Sequence, residues 1–156
     1  IDLPGEIQVK KEYEKLIIKR GNFEERVKNY SKKIELNSKV ELPYNYKLKS
    51  EKVKKYNNWK KDAAKSENCL IDFDKLNFPL KVRNRRPGDR FVPLGLNGSK
   101  KIKDYFIDKK VKLTKRDKIP LVVDDNGVII WIVGYHINEK VKVTKKTTNI
   151  LKLSLI

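Results

Sequence analysis

Histidine and cysteine occur once each, as His136 and Cys69, and methionine does not occur at all. A single cysteine excludes an internal disulfide, and no metal-ligand spacing surrounds it. The histidine follows an apolar strand, in Gly134-Tyr135-His136-Ile137. A lone histidine there reads as structural rather than as a general base. No apolar run approaches the ~20 residues of a membrane helix, and residues 1–20 lack the apolar centre of a secretory signal. A reducing cytoplasm is the expected setting, with no membrane partner. A chain that begins at Ile1 and has no methionine reads as a piece of a longer protein, with missing chemistry upstream.

Catalytic and cofactor signatures are also scarce. Gly95-Leu96-Asn97-Gly98-Ser99-Lys100 has the residue types of a phosphate loop but not the spacing. A P-loop needs four residues between its glycines and the lysine ahead of the hydroxyl residue. The Asp72/Asp74 and Asp124/Asp125 pairs suit strand ends and turns. The reading is that this chain carries no catalytic residue, no metal site and no cofactor of its own.

Positive charge is abundant. The 38 lysines and arginines outnumber 20 acidic residues, for a net charge of +18. A field of that sign favours polyanions, nucleic acid above all. Its distribution is uneven: residues 1–80 hold 19 cations against 13 anions, and residues 81–156 hold 19 against 7.

Periodicity predicts an α+β chain dominated by strands. Residues 3–20 read as two short strands, and 33–42 alternates through Ile34, Leu36 and Val40. Residues 46–67 are lysine-rich and read as a solvated surface segment with a thin helical stripe, or as an arm touching phosphates. A strand and turn follow over 70–78, then a strand at 80–83. A helix is expected over 99–110, where Ile102, Tyr105 and Phe106 share a face. Asp124-Asp125-Asn126-Gly127 marks a hairpin between strands at 121–123 and 128–133. Further strands are expected at 140–144 and 150–156. The sum is a β-rich domain, a sheet or a sandwich-like fold, with about one well-marked helix. Its expected organisation is a lead-in of strands and lysines over 1–69 and a module over 70–156, the two forming either one compact domain or separate ones.

The informative segment is the loop after residue 82. Four of the seven arginines, Arg83, Arg85, Arg86 and Arg90, fall within eight positions. In a chain that otherwise uses lysine, this favours guanidinium geometry, whose planar fork holds phosphate bidentately and stacks on bases. Pro87-Gly88 suits the centre of a turn, and Asp89 can accept turn amides or pair with an arginine. Lys100, Lys101 and Lys103 follow, where the expected helix start would attract anions.

The run Val82-Arg83-Asn84-Arg85-Arg86-Pro87-Gly88-Asp89-Arg90-Phe91, with Pro93, Gly95 and Lys100-Lys101-Ile102-Lys103-Asp104-Tyr105-Phe106, resembles the C-terminal domain of bacterial tRNA(Ile)-lysidine synthetases. So do Arg116-Asp117, Ile119-Pro120-Leu121, Ile130-Trp131-Ile132-Val133-Gly134 and Lys142-Val143-Thr144. The likeness spans roughly 70–156; residues 1–69 match more loosely, through Leu3-Pro4-Gly5 and Tyr13. It implies a β-rich α+β sandwich similar to a domain of the phenylalanyl-tRNA synthetase β subunit. It implies a ligase that uses ATP and free lysine to turn the wobble cytidine of tRNA(Ile) into lysidine. In that family a separate N-terminal domain, with a Ser-Gly-Gly-type loop, binds ATP and catalyses. The C-terminal region holds the tRNA, acceptor stem included. The resemblance transfers that role to Arg83, Arg85, Arg86, Arg90, Lys100, Lys101 and Lys103. Two alternatives stand beside it: a nucleic-acid-binding domain of an unrelated protein, and a dimerisation module that forms a homodimer.

Overall fold

The computed structural model describes residues 2–3, 7–20 and 27–156. Strands β1 (Asp2–Leu3), β2 (Ile7–Glu12) and β3 (Lys15–Arg20) form an antiparallel sheet of their own. Pro4 and Gly5, part of the looser resemblance, lie outside the described residues. Then follow β4 (Ser31–Ile34), β5 (Lys39–Glu41), β6 (Lys47–Lys54), a short helix α1 (Trp59–Ala63) and β7 (Asn68–Asp72). The second half holds β8 (Leu80–Arg83), β9 (Arg90–Phe91), β10 (Lys100–Lys101), α2 (Ile102–Asp108), α3 (Leu113–Arg116), β11 (Leu121–Val123), β12 (Ile129–Ile132) and β13 (Asn149–Leu155).

Two four-stranded antiparallel sheets face each other, with orders β12-β11-β8-β4 and β5-β6-β13-β7. Their inner faces meet in one core, where Val82, Val122, Ile130 and Trp131 pack against Leu48, Ile71, Leu151 and Leu153. Cys69 is fully buried in it, a small hydrophobe whose thiol pKa burial pushes well up. The outer face of the first sheet carries Leu121, Val123, Ile129 and Ile132, covered by Ile102, Tyr105 and Phe106 of α2. The outer face of the second sheet carries Leu70 and Ile150, under Trp59 and Ala63 of α1. The order of layers is helix, sheet, sheet, helix. That explains the unbroken apolar runs at 121–123 and 129–133: a strand buried on both faces does not alternate. Strands from both sides of residue 69 share these sheets, since β4 pairs with β8 and β6 with β13.

Three local expectations are corrected. The lysine-rich stretch is not a solvated segment at its start: β6 is the neighbour of β13 along seven paired positions. It turns Leu48 and Ser50 inward, and Ser50 Oγ donates to the Glu35 carbonyl at 2.5 Å. A polar residue at a core position hid the period. The expected strand at 140–144 is instead a 3-10 turn over Glu139–Val141, capped by the Asn138 side chain, which accepts from Lys140 N–H at 3.0 Å. The expected helix at 99–110 starts only at Ile102, because Lys100 and Lys101 pair with Phe91 and Arg90 as β10. With seven residues left, α2 serves to cover the sheet, and its first N–H, that of Ile102, is taken by the Asp89 carbonyl.

Candidate nucleic-acid interface

The arginine loop hangs between β8 and β9 and is fixed from within. Arg86-Pro87-Gly88-Asp89 forms a turn closed by Asp89 N–H donating to the Arg86 carbonyl at 3.2 Å. Proline presets the second position, and Gly88 takes φ +83 at the third, a conformation an L side chain resists. The Asp89 carboxylate accepts three hydrogen bonds: from both terminal nitrogens of Arg83, at 2.8 and 2.9 Å, and from Arg86 N–H at 2.7 Å. Both expected roles of Asp89 therefore occur together. Asn84, buried at the loop's root, accepts from Tyr30 N–H at 3.2 Å and donates to Asn29 Oδ1 at 3.1 Å. The far end is tied down when Ile102 N–H donates to the Asp89 carbonyl at 2.9 Å.

Of the seven expected residues, four come together. Arg85, Arg86, Lys101 and Lys103 line an open cleft of about 460 Å³, with Pro87, Gly88, Asp89 and Asp117. Arg85 Nε donates to Asp117 Oδ1 at 2.5 Å, which fixes one guanidinium in the cleft wall. Arg86, Lys101 and Lys103 are exposed, and their side chains have no hydrogen-bond or ion-pair partner among the described residues. Both carboxylates in the cleft are already matched by arginines, so its excess charge is positive.

The other three lie elsewhere. Arg83 is 7% exposed and its fork is filled by Asp89 and the Asn84 carbonyl. It holds the loop rather than facing the cleft. Arg90 points its fork at Ser99, with Nε to Oγ at 3.0 Å and a terminal nitrogen to the carbonyl at 3.2 Å. Lys100 is ion-paired to Asp108. Sequence reasoning did not single out Asp117 as the Arg85 partner; its place at the end of α3 is set by packing that no local pattern reveals.

The remaining polar candidates are structural. Asp72 accepts from Thr147 Oγ1 at 2.6 Å, and Asp124 from Asn77 Nδ2 at 3.0 Å and Val128 N–H at 2.8 Å. His136 Nδ1 lies 3.0 Å from the Tyr105 hydroxyl. Burial, with Lys109 nearby, holds the imidazole below its usual pKa, and burial pushes the Tyr105 phenol up to about 12. Among the described residues no group of three or more His, Cys, Asp or Glu could hold a metal ion, and no helix is long and apolar enough to cross a membrane.

Residues 80–155 match the family described as the TilS substrate C-terminal domain. The tRNA(Ile)-lysidine synthase of Caldanaerobacter subterraneus subsp. tengcongensis is 37% identical over 158 residues, covering 97% of this chain and 32% of that protein. That of Clostridium tetani is 54% identical over 85 residues, 54% of this chain and 18% of that protein. The chain thus spans about a third or less of the curated relatives it matches. A crystal structure of a TilS C-terminal domain superposes with a TM-score of 0.73 at 30% identity, over 82% of this chain and 96% of that one. A fragment of the Pyrococcus horikoshii phenylalanyl-tRNA synthetase β subunit reaches only 0.49 at 21% identity, too slight a likeness to build on.

Proposed function

The chain belongs to the C-terminal domain family of the tRNA(Ile)-lysidine synthases, and from that premise we propose that it grips the backbone of tRNA(Ile), at the acceptor stem, for a ligase that joins lysine to the wobble cytidine with ATP. ATP, lysine and the chemical step belong to the part of the relatives that this chain does not span. The chain's own share is positioning, and it works in the cytoplasm.

The observation that carries this reading is the convergence of Arg86, Lys101 and Lys103 on one cleft, their side chains without a protein partner among the described residues, while both carboxylates lining the cleft are matched by arginines. Such cations are available to phosphates at little cost, because no ion pair has to break first. The Pro87-Gly88 turn and the Arg83–Asp89 pair fix the loop before RNA arrives, so less conformational entropy is lost on binding. A-form RNA presents backbone and a shallow minor groove to a protein surface, which suits a cleft that reads shape and charge rather than base edges. Arg85 can offer its remaining guanidinium nitrogens while Asp117 fixes its direction.

The test is direct binding of a tRNA(Ile) transcript to this chain, in competition with other structured RNAs. Four cations each neutralising one phosphate give a log–log salt slope of about −3 to −4. An affinity that stays flat between low and physiological salt would remove the cleft from consideration.

A further inference from the structure

A second cavity, of about 430 Å³, opens between α1, β7, the end of α2 and the turn at 134–137. Its chemistry differs from that of the cleft. Leu70 and Val143 form a buried apolar floor, and the partly exposed rings of Trp59, Tyr135 and His136 stand around it. Lys65 and Lys109 lie on its rim. Flat rings over an apolar floor favour a flat unsaturated ring, and ammonium groups at the mouth favour an anion attached to it.

The walls are preformed. Gly134 takes φ +81 and turns the chain so that Tyr135 N–H donates to the Ile132 carbonyl at 2.8 Å and Ile132 N–H to the His136 carbonyl at 3.1 Å. Tyr135 is braced edge-on by Tyr105 and Phe106, at centroid distances of 6.3 and 6.1 Å. The Tyr105 hydroxyl lies 3.0 Å from His136 Nδ1, a hydrogen bond that holds the imidazole in the wall.

We propose that this cavity receives one unpaired nucleobase of the RNA held by the cleft, stacked against Tyr135 and Trp59 with its phosphate near Lys65 and Lys109. The inference rests on the RNA-binding reading above. The two openings share α2: Lys103 near its start lines the cleft, and Lys109 just past its end lines the cavity. At ~1.5 Å per residue they lie roughly 10 Å apart along the helix, the reach of one or two nucleotides. Stacking on aromatic rings tolerates any base, because every base has a π-face.

The test compares two RNA hairpins, one blunt-ended and one with four unpaired nucleotides at its 3′ end, the second carrying 2-aminopurine in the extension. The wild-type chain should bind the extended hairpin about tenfold more tightly, the effect of one stacked base, and the 2-aminopurine fluorescence should be quenched. Trp59→Leu and Tyr135→Leu keep apolar bulk and remove the ring; each should lose the advantage and the quenching yet keep the blunt-hairpin affinity. A melting curve on each variant establishes that it is folded. If the wild type binds both hairpins equally without quenching, the cavity proposal is wrong and the cleft reading survives. If it binds neither, the cleft reading fails and the cavity proposal falls with it.

Discussion

Removing the Asp89 carboxylate is the perturbation whose outcome follows most directly from the geometry. The side chains of Arg83 and Asp89 are only 8% and 13% exposed, so their two hydrogen bonds, at 2.8 and 2.9 Å, are poorly screened by water. Asp89→Ala leaves the Arg83 guanidinium buried with only the Asn84 carbonyl for company, and leaves the Arg86 N–H without its acceptor. Breaking a buried pair by deleting one partner costs about 3–5 kcal/mol, because a charge is left uncompensated. For a chain of this size that is a fall in Tm of roughly 6–20 °C. Replacing both residues, as Arg83→Met with Asp89→Ala, removes the stranded charge and should recover much of the loss. Urea unfolding of the single and double variants, read as a double-mutant cycle, measures the coupling. RNA affinity per folded molecule should fall in Asp89→Ala as well, since the turn that aims Arg86 is loosened. A loss of stability below about 1 kcal/mol in Asp89→Ala would refute the reasoning, since it would place the pair among solvent-screened surface ion pairs.

Other expectations follow from the same structure. Phe106→Ala opens a cavity where α2 covers the first sheet and should cost about 3–5 kcal/mol by urea unfolding. Gly88→Ala meets no atom within 4 Å of the added methyl, so its cost comes from φ +83 alone, about 1–2 kcal/mol in the same assay. His136 gives stability a pH dependence: its folded pKa lies below the ordinary 6.5, so the unfolded chain takes up the proton first as pH falls. Stability should therefore be full above about pH 6.5 and decline from there down to the folded value. His136→Gln should flatten that part of a Tm-against-pH curve, and an unchanged slope would count against the assignment.

How much of this was legible in the sequence depends on which residues carried a local signal. The hairpin at 124–127, the β8 strand and the apolar face Ile102-Tyr105-Phe106 were readable because each depends on neighbours along the chain. The Pro87-Gly88 turn and the pairing of Asp89 with an arginine were readable for the same reason. The β6 strand was not, because Ser50 occupies a core position through a bond to Glu35, fifteen residues away. Nor was the late start of α2, which follows from β10 pairing with β9. Within the site, clustering of charge identified the segment but could not separate roles. Arg83 and Arg86 look alike in sequence; one is buried against Asp89 and the other is exposed in the cleft. The aromatic cavity is assembled from residues 59, 70, 105, 135 and 143, whose proximity exists only in three dimensions.

The central claim, that the cleft is where RNA is held, is tested most directly by measuring tRNA(Ile) affinity and Tm together for Arg86→Ala and Lys103→Ala, singly and combined. Each side chain is exposed and has no partner among the described residues, so Tm should hardly move. Each should weaken binding by about 1–3 kcal/mol, the scale of a charge-assisted contact. The double variant should show a salt slope shallower by about 2. Arg86→Lys should recover only part of the loss, since lysine keeps the charge and lacks the fork. Wild-type affinity and an unchanged salt slope in the folded double variant would contradict the account.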